Sequence, residues 1–410
     1  MKYIQSRAER VLMVVIILFL TVPLPFTLLS QWKPLKKSLR MGHLNGVQLE
    51  QTYTPFSWSA LFHSKYQESV SRFFDNEFFG RAHLINIANE LYFRLFKVSP
   101  MSSTFVFVGK KDTLYEYIYL SEYCLDRRRK SELEPLVRDI RKLQDACARR
   151  GMGFTVLITP SKASIYPELI PGDWARRQDP RPRAYEEFLP LLKEQGIHVV
   201  DGHAIMVAGM DKAPAPIFPK GGIHWGAYGA WLTANALIAE LQSQGKALQP
   251  VEYSGMRVSN NPKGEDADLL QLMNLLIPWH YPVADFTVKQ AAPRNPRPGM
   301  VMVGGSFMWK LCGLLSESRQ FSEIDCFYYY KLLKKTFVDG KSRVTAEPVQ
   351  SINFDREIFA ADNLVLEINE SVIPSAPNHL INFTADALEH LPAEGSPKEP
   401  FLYENPQPAP

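Results

Sequence analysis

Four apolar residues, Met300–Val301–Met302–Val303, run without a break into Gly304–Gly305–Ser306–Phe307 and then into the helix-compatible stretch Phe307–Leu315. A short, wholly apolar strand reads as one covered on both faces, as in a parallel sheet. The glycines turn the chain, and Ser306 opens the segment that follows. That places Ser306 at the carboxyl end of a strand, where open α/β sheets form their ligand crevice. A serine there serves either as a helix N-cap or as a nucleophile beside the free N–H groups of a helix start.

Other segments agree with such a sheet. Thr104–Val108 and Leu114–Tyr119 flank the turn Gly109–Asp112 and read as strand, turn, strand. Arg129–Arg150 is an amphipathic helix, with Leu133, Leu136, Val137, Ile140, Leu143 and Cys147 on one face and Gly151 as its stop. Phe154–Thr159 reads as a strand, Tyr185–Gln195 as a helix, and His198–Val200 as a short strand ending at Asp201. Trp225–Gln244 is a further helix, and Cys326–Tyr330 and Leu364–Ile368 are further strands. Strands alternating with helices predict a doubly wound, mostly parallel sheet. At 410 residues, 46% of them hydrophobic, the chain can bury a core of that size. Its 46 basic and 43 acidic residues nearly balance, so no nucleic-acid surface is implied. Cys124, Cys147, Cys312 and Cys326 form no CxxC pair, which argues against a structural zinc site. They fit disulfides, in any of three pairings, or reduced core thiols.

Val11–Leu29 carries no charge over about the length that crosses a bilayer, with Pro23 and Pro25 late in the stretch. No small-x-small pattern follows at Ser30–Gln31–Trp32, so the stretch reads as an uncleaved anchor and not a secretory signal. Residues 1–30 are assigned to that anchor, 31–69 to a linker or arm, 70–390 to the main domain, and the Pro- and Glu-rich 391–410 to a disordered tail. Phe73, Phe74, Phe78, Phe79, Leu84, Ile85, Ile87, Leu91, Phe93 and Leu95 predict two helices, separated near Gly80, whose apolar stripe faces a core. Lys2, Arg7 and Arg10 precede the anchor, and Lys33, Lys36, Lys37 and Arg40 follow it. That count slightly favours a cytoplasmic main domain.

Acyl transfer at a serine needs a base within hydrogen-bond reach. His224 lies in Lys220–Gly221–Gly222–Ile223–His224–Trp225–Gly226, a Gly-rich turn directly before a helix, the same setting as Ser306. Its structural alternative is to bond the helix start or pack on Trp225. Lys162 and Tyr166 leave the strand Phe154–Thr159 at its carboxyl end and are assigned to the cleft on that ground. Their alternatives are a solvated Lys162 and a Tyr166 packed on Pro167.

Four stretches carry a resemblance: VFVGKKDTLYEY (Val106–Tyr117), VLITPSKASIYPELIP (Val156–Pro171), GGIHWGAYGA (Gly221–Ala230) and VGGSFMWKL (Val303–Leu311). In this order and spacing they resemble the SGNH-hydrolase-like domain of the alginate O-acetyltransferase family, the AlgJ/AlgX type. Phe78–Phe79–Gly80–Arg81 and Gly264–Glu265–Asp266–Ala267–Asp268–Leu269–Leu270 resemble two of its lesser motifs. The resemblance implies a three-layer α/β/α fold with a mostly parallel sheet behind an N-terminal transmembrane helix. It implies Ser306 as nucleophile, His224 as base and then acid, a cleft including Gly305, Trp225, Lys162 and Tyr166, and no metal or organic cofactor. It also implies a polysaccharide acceptor, a membrane-bound acyltransferase as acetyl donor, and a periplasmic body on the inner membrane, which overrides the slender charge count. The family's two aspartates fall on Gly222 and Gly305. Asp201, Asp266 and Asp268 are candidates by composition alone for the missing carboxylate. Two functions follow. The chain is an O-acetyltransferase of exopolysaccharide biosynthesis, or it is a degenerate member that binds glycan or scaffolds an export complex.

Overall fold

The computed structural model describes residues 7–29, 44–46, 53–99, 105–292, 296–373 and 379–393. They fall into two compact units, Met1–Ser103 with Leu270–Trp279, and Thr104–Leu269 with His280–Pro410.

The larger unit holds eleven strands among its described residues: β1 (Val106–Val108), β2 (Leu114–Glu116), β3 (Gly153–Thr159), β4 (Val199–Asp201), β5 (Tyr253–Ser259), β6 (Val283–Val288), β7 (Met300–Gly304), β8 (Ile324–Tyr328), β9 (Leu333–Val338), β10 (Lys341–Ala346) and β11 (Asn363–Asn369). Seven form one sheet in the order β10-β9-β8-β7-β11-β3-β4. The run from β8 to β4 is parallel, while β9 and β10 are antiparallel additions. Strand β4 extends the sheet on one side of β3, whereas β7 and β8 lie on the other, beyond β11. That change of direction opens a crevice at the carboxyl ends of β3, β11 and β7.

The strands alternate as a two-sided core requires. Val301, Val303, Phe154, Val156, Leu364 and Leu366 pack in one apolar cluster, with residues of the helices Lys130–Arg149, Ala184–Glu194 and His379–Glu389. Met300, Met302, Leu157 and Val365 pack in another, with the helices Ala227–Ser243 and Met308–Glu317.

Several expectations change. Leu114–Tyr119 is a strand only to Glu116. Tyr117–Leu125 is a helix, because Leu120 and Cys124, four apart, both turn into the core. β10 carries no apolar period for a sequence reading to find, since it is an edge strand with Lys341, Ser342, Arg343 and Val344 exposed. The four cysteines are buried free thiols. Most of the expected tail, from residue 394 onward, lies outside the described residues, as do residues 30–43 and 47–52 of the expected arm. Thr104 also lies outside them.

The smaller unit is helical, with Arg7–Thr21, Pro23–Leu29, Trp58–Phe62, Lys65–Glu77 and Arg81–Leu91, the last running into a π-turn at Tyr92–Phe96. Within it Glu9–Leu29 is long and apolar enough to cross a membrane. The stripe expected in a core is only partly enclosed. Phe93 is buried, but Leu84, Leu91 and Leu95 are 37%, 52% and 67% exposed, because the helix turns Asn89 and Glu90 inward instead.

Leu366, fully enclosed at the centre of the sheet, gives a direct test of this core. Leu366→Ala should lower unfolding stability by about 2–5 kcal/mol, read from the urea midpoint. A loss below about 1 kcal/mol would contradict the packing described.

Candidate active site

β7 ends at Gly304, and the helix Met308–Glu317 starts three residues after Gly305. The turn between them is closed by Met308 N–H to Gly305 O (3.3 Å) and Trp309 N–H to Ser306 O (3.2 Å). Ser306 does not cap the helix. Its Oγ lies 2.8 Å from His224 Nε2. On the other side of the ring, Nδ1 lies 3.0 Å from Asp268 Oδ2. A carboxylate can only accept, so Nδ1 carries the proton and Nε2 is left to accept from the Ser306 hydroxyl. Asp268 is itself fixed, because its Oδ1 accepts from the N–H groups of Ile223 and Leu269, both at 2.7 Å. Phe307 supports the imidazole face at a centroid distance of 5.0 Å and packs edge-on against Trp225 at 5.3 Å. Ser306 is half-buried, and the His224 side chain is 12% exposed.

Of the glycines at the two expected carboxylate positions, Gly222 has a steric cause. A Cβ on Gly222 would lie 2.6 Å from Glu265 O and 3.0 Å from Asp266 O. The backbone at Glu265–Asp266 thus crosses directly over Gly222, and that crossing carries Asp268 to the imidazole. Gly305 has room for a Cβ, whose nearest neighbour, Glu367 Oε2, would lie at an ordinary 3.5 Å. Glu367, from β11, is fully buried there. Its Oε2 accepts from Gly305 N–H (2.6 Å) and its Oε1 from Thr159 Oγ1 (2.5 Å). Gly304 is the constrained one of the two, since a Cβ there would meet the Glu367 side chain at 2.5 Å. Each glycine is therefore matched by a carboxylate from another segment.

The remaining expected cleft residues take other places. Lys162 is 3% exposed, and its Nζ donates to Leu114 O (3.0 Å) and Lys220 O (3.2 Å). It is enclosed beneath the site and ties the β2 hairpin to the turn that leads to His224. Burial pushes its pKa down to about 7, against the pull of Asp268. Trp225 is fully enclosed and serves as packing for Phe307. Tyr166 accepts at its backbone O from Tyr115 Oη (2.9 Å) and lines a separate hollow with Ile217, Phe218 and Lys220. Gly305 is buried, and its N–H is committed to Glu367. Asp201 caps the helix Gly202–Gly209 and accepts from Tyr185 Oη, while Asp266 pairs with Lys310 at 2.7 Å. Neither bonds to the imidazole, whose two nitrogens meet Asp268 and Ser306. Asp268 had one faint sequence signal, its place in the Gly264–Leu270 motif. Glu367 had none.

The SGNH hydrolase-like domain model of the acetyltransferase AlgX matches residues 106–311, half of the chain. The chain belongs to this family. The probable alginate O-acetylase AlgJ of Pseudomonas aeruginosa PAO1 is 26% identical over 292 residues, 63% of this chain and 69% of that protein. The O-acetyltransferase domain of Pseudomonas putida AlgJ is 18% identical, with TM-score 0.46 over 68% of this chain and 99% of that one. Bacillus cereus PatB1 is 9% identical, with TM-score 0.45 over 67% and 98%.

In this AlgX-family chain two further carboxyls lie near the imidazole. Burial pushes Glu116, at the end of β2, up to about 7, reinforced by Asp268 and opposed by His224. Burial likewise pushes Glu367 from its ordinary 4.5 to about 7, opposed by its bonds from Thr159 and Gly305 and by His224. The folded state thus binds the Glu367 proton more tightly than the unfolded chain. Its contribution favours folding fully below the ordinary carboxylate range and is lost as pH rises through 7. Glu367→Gln removes that titration. Its stability should fall less than that of the wild type between pH 4.5 and 7, by an amount on the order of 3 kcal/mol. Parallel urea curves for the two proteins across that window would refute the assignment.

Proposed function

We propose that this chain is a serine-dependent O-acetyltransferase acting on a polysaccharide, on a three-layer α/β/α SGNH-type scaffold. One observation carries the reading: the continuous line Ser306 Oγ, His224 Nε2, His224 Nδ1, Asp268 Oδ2, with contacts of 2.8 and 3.0 Å. The degenerate, non-catalytic reading drew its support from Gly222 and Gly305, and the Asp268 carboxylate at His224 Nδ1 favours the enzyme reading over it.

The chemistry follows from the roles these atoms can play. Ser306 Oγ attacks the acetyl carbonyl of the donor, and its proton passes to His224 Nε2. The resulting imidazolium is stabilised by Asp268, which keeps its two N–H bonds throughout. The tetrahedral oxygen forms beside the Ser306 backbone N–H, which meets no backbone acceptor among the described residues. The intermediate collapses to acetyl-Ser306, and the donor leaves with the proton from His224. A glycan hydroxyl then gives its proton to His224 and attacks the acetyl-serine. Breakdown of the second intermediate frees the O-acetylated glycan and returns the proton to Ser306 Oγ. The residues used need no metal or organic cofactor for these steps.

The setting is also a proposal. The Glu9–Leu29 stretch anchors the chain in the inner membrane, the body works on the periplasmic side, and a membrane-bound acyltransferase supplies the acetyl group. Support comes from the apolar length of that stretch and from the name of the AlgJ relative, a probable alginate O-acetylase.

Ester hydrolysis tests the site. The wild type should release acetate from p-nitrophenyl acetate, and Ser306→Ala should not exceed background. Asp268→Asn should lose on the order of 10²–10⁴-fold in kcat with KM little changed, because it leaves the ring without its acceptor. Wild-type turnover equal to that of Ser306→Ala, together with unchanged polymer acetylation in cells carrying Ser306→Ala, would remove the enzyme reading.

A further inference from the structure

The helix Arg81–Leu91 is amphipathic in the reverse sense from a soluble helix. Asn89 and Glu90 point inward, where Asn89 Nδ2 donates to Met273 O (2.8 Å) and Glu90 Oε2 accepts from Ile277 N–H (3.2 Å). Leu84, Ile87, Ala88 and Leu91 point outward. They follow the i, i+3, i+4, i+7 spacing of a single face. The π-turn and its exit prolong the exposure with Tyr92, Leu95, Phe96 and Val98. Each of these apolar side chains except Ala88 is 37–67% exposed. Leaving such surface in water is unfavourable in proportion to its area. A continuous outward apolar face of this kind marks something that covers it.

The start of the helix indicates the cover. Phe79 N–H donates to Thr27 Oγ1 (2.8 Å), and the Phe79 ring lies 4.9 Å from Phe26. Both partners sit at the carboxyl end of Glu9–Leu29, the apolar stretch of 21 residues. The outward face therefore begins within two turns of the point where that stretch ends. Its flanks carry Arg81, His83 and Arg94, and Trp58 and Phe62 of the same unit are exposed as well. Basic residues beside an apolar face, with exposed aromatic rings, are what a helix lying in a membrane interface displays.

We propose that the face formed by Leu84, Ile87, Leu91, Leu95 and Val98 lies in the headgroup–acyl boundary of the phospholipid bilayer that Glu9–Leu29 crosses. The smaller unit then rests on the membrane surface and is more than a tether. This rests on the anchor reading given under Proposed function.

The test uses the full-length chain alone in phosphatidylcholine–phosphatidylglycerol vesicles. The single variants Ile17→Cys, Ile87→Cys, Leu91→Cys and Lys142→Cys are each labelled with the fluorophore NBD, the native thiols being buried. Lipids carry a nitroxide at either a shallow or a deep acyl position. At residues 87 and 91 the shallow nitroxide should quench emission roughly twofold or more, with a blue shift, while residue 142 on the larger unit stays unquenched. Residue 17 should be quenched by the deep nitroxide. If 17 is quenched and 87 and 91 behave like 142, the interfacial proposal fails and a protein partner is the cover. If 17 is not quenched, the anchor reading fails and takes this proposal with it.

Discussion

A buried lysine amine without a counter-ion ties together the segments at the carboxyl end of the sheet. Lys162 leaves the carboxyl end of β3 and donates to a carbonyl of the β2 hairpin and to one of the turn before His224. Among the described residues no carboxylate pairs with it, so its N–H groups are met by two peptide carbonyls. Burying such an amine is costly, and the cost shows as a pKa pushed down to about 7. What it provides is geometry, because three chain segments far apart in sequence meet at one point. The turn at Lys220 is further tied to the hairpin by Leu114 N–H (2.8 Å). His224 then stands four residues from a fixed point, on the Phe307 ring, at bonding distance from Ser306.

The strand-turn-helix signal at residues 300–315 singled out Ser306 and the Gly-rich turn before Trp225 singled out His224, and the two side chains meet at 2.8 Å. Both were legible because their settings are local: a few neighbouring residues define a strand end or a helix start. The doubly wound sheet was legible for the same reason, since its central strands are apolar on both faces. The carboxylates beside Ser306 and His224 were much less so: Asp268 was one of three candidates by composition, and Glu367 had no signal. Asp268 reaches the imidazole across 44 residues of sequence and Glu367 reaches Gly305 across 62. Nothing in the spacing shows which distant backbone will cross a glycine. Lys162 and Trp225 erred in the opposite way, because a strand's carboxyl end supplies the floor of a cleft as well as its walls.

The small unit shows how far a periodic pattern can carry. The helical period of residues 81–95 was real, but a period does not state which side faces water. The inward polar pair Asn89 and Glu90 settles that, through bonds to residues 273 and 277 that the pattern cannot contain.

The crossing over Gly222 also bears on which side chains the site can accept. With the Glu265 carbonyl 2.6 Å from where a Cβ would stand, the 265–268 segment can approach only a residue that has no side chain. An aspartate placed at 222 would push that segment off the imidazole and dislodge Asp268 before doing any work itself. The bare backbone at 222 and the carboxylate at 268 therefore come as a pair. A glycine that a motif scan counts as a loss is, in this fold, the opening through which the imidazole receives its acid.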